Sequence, residues 1–210
     1  NTYERMFNYL LQSFMRTTIF TVLYFLMYLI DHYEKFHDKK RYAKLCILPC
    51  LIIAYITKLS VLILIGLVLG WAGDILLLFK EKKYFIAGSV SFMIGHLCYC
   101  MYFLQQPLSL NYRYTPLLIL YALIAGTLLN ERLKSKYKPI VAVYAVPLVL
   151  SCILAMQTHN DWAILGTSLF VVSDTLVAHE KFIQAKDLKT RWIMFTYILA
   201  QYCIVLSTIS

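Results

Sequence analysis

Two aspartates, Asp74 and Asp174, stand inside long apolar runs a hundred positions apart, and the residues around them repeat. The first closes Gly66-Leu67-Val68-Leu69-Gly70-Trp71-Ala72-Gly73-Asp74 and the second Gly166-Thr167-Ser168-Leu169-Phe170-Val171-Val172-Ser173-Asp174. Gly66/Gly166, Leu69/Leu169, Asp74/Asp174 and Leu76/Leu176 are in register. An ionisable side chain near the middle of a membrane-spanning helix costs about 2.5–3.5 kcal/mol on insertion scales, so each carboxyl marks a functional site and calls for a polar partner. Two carboxyls on one cavity can divide acid–base work. One keeps its proton and delivers it, while the other, ionised, stabilises a developing cation or takes a proton from water. No His/Cys/Asp/Glu group has metal-ligand spacing, and neither a GxSxG element nor a phosphate-binding loop is present. Neither metal nor cofactor is expected.

Few other polar side chains lie deep enough to work with the pair. His96, in Gly95-His96-Leu97-Cys98-Tyr99, is too far from either end of its apolar run to reach water. Taken alone it reads as a core histidine satisfied inside a bundle. Because polar groups are scarce within a membrane, an Asp carboxylate is its expected neighbour. Most of the seventeen tyrosines fall where aromatic belts anchor helices at the interface, but Tyr99, Tyr144 and Tyr197 are deeper. These three either line a polar cavity or donate to backbone carbonyls. Gln201, with Thr196 and Tyr197 at helical spacing before it, orients a bound headgroup or water, or else serves as interhelical glue. Ser173, like Gly70, Ala72 and Gly73, is small enough to let a neighbouring helix approach closely.

The elements that must position these residues are membrane helices. Over 210 residues, 60% are hydrophobic and 15% charged, which leaves too little polar surface to face water. The net charge of +9 does not point to nucleic acid, since the Lys and Arg fall between apolar runs and no recognition helix or aromatic-basic sheet motif occurs. The six cysteines all lie in apolar segments and read as reduced core residues. No signal peptide is expected. With about 20 residues per full crossing, and shorter helices tolerated, about eight helices are expected near 14–30, 44–57, 60–79, 84–104, 115–129, 139–156, 162–178 and 192–208.

The loops then sort by charge. Lys35, Lys39, Lys40, Arg41 and Lys44, then Lys80, Lys82 and Lys83, then Arg132, Lys134, Lys136 and Lys138, then Lys181, Lys186, Lys189 and Arg191 all fall on one side. The positive-inside rule makes that side cytoplasmic and both termini non-cytoplasmic. A second reading of these basic loops is a site for lipid phosphates. Asp74 lies about 7 Å of helix rise from the end of its span at Phe79, and Asp174 is similarly placed, so both belong to the cytoplasmic half. Pro49 and Pro147, each in the helix before an Asp helix, fit a tandem duplication of two four-helix halves. The expected fold class is all-α, a polytopic membrane bundle forming a single integral membrane domain over residues 1–210.

In a chain of motifs from about residue 60 to 208, the sequence resembles the YhhN-like lysoplasmalogenases, multi-helix membrane proteins that hydrolyse the vinyl ether bond of lysoplasmalogens. Gly66-Leu67-Val68 through Gly73-Asp74 is similar to the family's first Asp motif. Tyr84-Phe85 with Gly88, Phe92, His96, Tyr99 and Phe103, ending Gln106-Pro107-Leu108, is similar to the segment that follows it. Gly166, Leu169-Phe170 and Ser173-Asp174, with Phe182 beyond, resemble the second Asp motif, and Thr196-Tyr197 with Ala200-Gln201 the last helix. The first two helices match in character only, and Gly70 and Trp71 depart from the family's pattern. The resemblance implies that Asp74 and Asp174 are essential, with a lysophospholipid and water as reactants, membrane lipids as surroundings and no nucleic acid.

The residues leave three functions to compare. A vinyl-ether hydrolase would use Asp74 and Asp174 as general acid and base, with Ser173, His96, Tyr99, Tyr144, Tyr197 and Gln201 around the substrate, in a cavity open towards the cytoplasmic leaflet. An intramembrane aspartyl protease would also need two aspartates, but its Tyr-Asp and Gly-x-Gly-Asp pairs are replaced here by Ser173-Asp174 and Trp71-Ala72-Gly73-Asp74. A proton-coupled transporter would use the same acids as proton carriers.

Overall fold

The computed structural model describes residues 2–32, 40–79, 81–109, 138–183 and 190–209. Among them the chain forms seven α-helices: α1 (Thr2–His32), α2 (Lys40–Tyr55), α3 (Val61–Leu77), α4 (Lys82–Leu104), α5 (Lys138–Gln157), α6 (Asp161–Ile183) and α7 (Thr190–Leu206). Each expected span within the described residues holds a helix, though α2, α3 and α7 end at Tyr55, Leu77 and Leu206, short of 57, 79 and 208, and the span expected at 115–129 lies outside them. α1 begins at Thr2, well before 14, and α6 continues to Ile183, past 178. Hydropathy locates the apolar crossing, whereas helical hydrogen bonding continues into polar ends.

Three helices hold apolar stretches long enough to cross a bilayer: Leu10–Ile30, Lys82–Leu104 and Asp161–Glu180. Four more are apolar but shorter: Ala43–Tyr55, Val61–Leu77, Val141–Gln157 and Trp192–Leu206. Their outward faces expose Phe14, Val22, Val61, Val143, Val146 and Trp192. An apolar face this extensive belongs against lipid, and in lipid a helix is the spanning element that satisfies its own backbone. A polar cap marks the break between α5 and α6. The Asn160 side-chain oxygen accepts from the N–H groups of Trp162 and Ala163 at 3.0 and 3.1 Å, starting α6. His159 turns the chain just before it with φ 55°.

Small residues set the closest packing. A Cβ on Gly95 would come within 3.2 Å of the Gly66 carbonyl oxygen, and one on Gly88 within 3.2 Å of that of Gly73, so the α3 and α4 backbones nearly touch. Ser91 seals the pair by donating to the Leu69 carbonyl at 2.7 Å. α6 meets α7 in the same way at Gly166, whose Cβ would fall 2.9 Å from the Ile204 nitrogen. Gly66 and Gly166, in register in the sequence, both face the helix that follows.

Longer side chains tie the remaining helices. The Tyr24 hydroxyl of α1 donates to the Ile198 carbonyl of α7 at 2.7 Å, and Trp71 Nε1 of α3 to the Leu45 carbonyl of α2 at 2.9 Å. α4 and α5 run parallel: Cys100 meets Pro147 and, further on, the Ser109 N–H meets the Gln157 carbonyl.

Candidate active site

Asp74 comes late in α3 and is 5% exposed. Tyr197 Oη of α7 donates to its Oδ2 at 2.8 Å. Behind Tyr197, Gln201 Nε2 donates to the same phenol oxygen at 3.4 Å, and Gln201 Oε1 accepts from Tyr99 Oη of α4 at 2.9 Å. Tyr99, Gln201 and Tyr197 therefore form a buried series in which every donor points towards Asp74. Glycines make the room for it. A Cβ on Gly66 would fall inside the Tyr99 ring, and one on Gly70 would lie 3.1 Å from Gln201 Nε2. Trp71, the departure noted beside Asp74, is directed to α2 by its bond to Leu45.

Asp174 comes late in α6 and has different neighbours. Tyr144 Oη of α5 donates to its Oδ2 at 2.6 Å, and His96 Nε2 of α4 lies 3.7 Å from that same oxygen. The second distance is too long for a hydrogen bond and within reach of an ion pair when the imidazole is protonated. The His96 side chain is 2% exposed and that of Asp174 15%. Neither ring nitrogen of His96 has a hydrogen-bond partner among the described residues. Its ring is held edge-on by Phe170 and Tyr99, with centroids 4.7 and 5.9 Å away.

The two aspartates line one cavity of about 230 Å³. Tyr144, Ser173 and Tyr197 share its wall, with Leu77, Phe85, Phe92, Val141, Val177 and Met194 supplying apolar surface. The Ser173 hydroxyl is engaged by the Ile193 carbonyl at 3.2 Å, which pins α6 to α7 beside Asp174. His96, Tyr99 and Gln201 do not reach the wall; they stand behind it and hold the residues that do. The lining comes from the ends of α3 and α6 and the beginnings of α2, α4, α5 and α7, so the cavity belongs to the end of the bundle beside the basic stretches.

Several lining residues carried no sequence signal as site residues. Phe85 and Phe92 stood in the family-like motifs without a role, and Phe92 proves to pack edge-on against Tyr197 at 5.9 Å. Lys44 and Glu180 also line the cavity. In the sequence Lys44 was one of the basic-loop charges.

Fold and site together describe an all-helical membrane protein with two carboxyls at the wall of a narrow apolar cavity. The YhhN family model matches residues 39–208, and the chain belongs to that family. Among curated relatives it is 30% identical over 160 residues to lysoplasmalogenase TMEM86A of Homo sapiens and 28% identical over 157 residues to lysoplasmalogenase TMEM86A of Bos taurus. Each alignment covers 70% of this chain and 65% of the relative, so the chain spans just under two thirds of the length of the relatives it matches. No solved structure matches.

Proposed function

We propose that this chain is a lysoplasmalogenase-type hydrolase, cleaving the vinyl ether of a lysophospholipid to a fatty aldehyde and a glycerophospho-alcohol. The observation that carries the reading is the shared cavity. Asp74 and Asp174 line it together, each accepting a hydrogen bond from a tyrosine, among walls fit for hydrocarbon. The names of the relatives agree with it.

Vinyl ether hydrolysis starts with a proton delivered to the outer alkene carbon, which leaves an oxocarbenium ion at the carbon bearing oxygen. Water adds to that carbon, and the hemiacetal collapses to aldehyde and alcohol. One carboxylic acid supplies the first proton; the other, as carboxylate, stabilises the cation and takes a proton from the attacking water. Such a pair acts as a unit, so the roles belong to the pair. Tyr144 and Tyr197 aim the carboxyl oxygens, and Ser173 fixes the backbone beside Asp174. His96, Tyr99 and Gln201 support the wall from behind, while the apolar residues take the hydrocarbon next to the vinyl ether.

The same reading places residues 1–210 in one integral membrane domain of about eight crossings, built as two related halves. Its cavity opens towards the cytoplasmic leaflet because the basic stretches flank that end. Purified protein in non-ionic detergent, given a lysoplasmalogen, is the test. Aldehyde release matched by glycerophospho-alcohol is expected. Cleavage of a helical peptide without aldehyde release would instead mark a protease.

A further inference from the structure

The cavity's lining holds three carboxyl side chains and one ammonium among the described residues: Asp74, Asp174, Glu180 and Lys44. The mechanism uses the two aspartates and leaves one cation and one anion. Lys44 lies near the start of α2 and Glu180 near the end of α6, both half-buried. Neither has an ion-pair partner among the described residues. Lys83, by contrast, is held by Glu81 at 2.8 Å and lies outside the cavity.

Depth separates the two pairs of charges. Glu180 follows Asp174 on α6 by about 9 Å of helix rise, towards the end of the bundle where the basic stretches lie. A molecule whose reacting bond sits at the aspartates therefore has its distal polar part near Lys44 and Glu180. A lone lysine there would welcome any phosphate. A carboxylate on the same rim changes the selection, because it repels a headgroup of net negative charge and attracts one that ends in an ammonium group.

Resting on the hydrolase reading above, we propose that Lys44 and Glu180 read a zwitterionic headgroup. The Lys44 ammonium binds the phosphate and the Glu180 carboxylate binds the amine or quaternary ammonium beyond it. The site then selects alkenyl lysophospholipids with phosphoethanolamine-like or phosphocholine-like headgroups over those ending in a bare phosphate monoester.

The experiment compares kcat/KM in non-ionic micelles for four vinyl ethers: ethanolamine, choline and phosphate-monoester lysolipids, and a 1-alkenylglycerol without a headgroup. The unsubstituted protein is expected to favour the zwitterions over the monoester by about tenfold, as befits one charged contact on a partly solvated rim. E180K should reverse that preference, and E180Q, the milder change if E180K does not fold, should abolish it. K44Q should lower the ratio of zwitterion to headgroup-free substrate by about tenfold. Ratios that stay within about twofold in both Glu180 variants and in K44Q would overturn the proposal.

Failure of the hydrolase reading shows separately, as absence of aldehyde from all four substrates. Binding of the saturated ether analogues to the detergent-solubilised protein then decides the headgroup question alone. The same order of affinities with the same shifts in E180Q and K44Q sustains it, and equal affinities overturn it.

Discussion

Asp74 and Asp174 look equivalent in the sequence and are not equivalent in the structure. Asp74 is buried on a helix whose glycines bring α4 into near contact, and a series of neutral groups, Tyr197, Gln201 and Tyr99, is hydrogen-bonded to it. Asp174 has a single phenol, that of Tyr144, and across a longer gap an imidazole. An imidazole can carry a positive charge, whereas a neutral phenol and an amide orient a carboxyl through hydrogen bonds. The two similar motifs thus deliver two carboxyls to one cavity, and the helices packed around α3 and α6 give each its own surroundings. The difference teaches that one shared pattern, Gly-x-x-Leu followed by Asp, can bring a carboxyl to the cavity from two helices, while the surroundings of each carboxyl come from α4, α5 and α7.

Substitutions can break or sharpen that contrast. The largest effect belongs to the carboxyls: D74N and D174N should each lower aldehyde release by about a thousandfold or more while the protein stays monodisperse, since Asn keeps shape and cannot move the proton. Substantial turnover in either folded variant would make one acid dispensable. Next comes His96, whose removal takes away the ionisable neighbour of Asp174 alone. H96A is expected to lower kcat by roughly a hundredfold, and full turnover with unchanged KM would leave it a packing residue. Y144F and Y197F remove one hydrogen bond each, from Asp174 and Asp74 respectively, and should cost roughly tenfold in kcat, measured at saturating substrate. The smallest effect is expected of G70A. Its methyl must displace Gln201 by a few tenths of an ångström, two bonds removed from Asp74, so a few-fold loss in kcat is expected with little change in stability.

Much of this was legible in the sequence, for identifiable reasons. A carboxylate in an apolar run stands out locally, and so do a buried His and tyrosines far from the interface. Asp74, Asp174, His96, Tyr99, Tyr144 and Tyr197 could all be named without a fold. Which of them meet could not. His96 sits on α4, tightly packed on the helix of Asp74, yet it faces Asp174; Tyr197 sits on the helix next to Asp174, yet it donates to Asp74. Those exchanges depend on the rotational phase of helices far apart in the chain, which no local pattern encodes. The same holds for depth: His96, Tyr99 and Gln201 were expected around the substrate and stand behind the wall. Neither Lys44 nor Glu180 stood out as a site residue, because the cavity's mouth is assembled from six helix ends, none of which marks a mouth by itself.

Carbon protonation by the carboxyl pair is the central claim, and isotope incorporation tests it most directly. When the unsubstituted protein turns over a lysoplasmalogen in deuterium oxide, the carboxylic acid carries deuterium from the solvent to the outer alkene carbon. The expected aldehyde, trapped as it forms, bears a single deuterium on the carbon next to its carbonyl. Aldehyde released at the same rate with no deuterium at that carbon would contradict the mechanism.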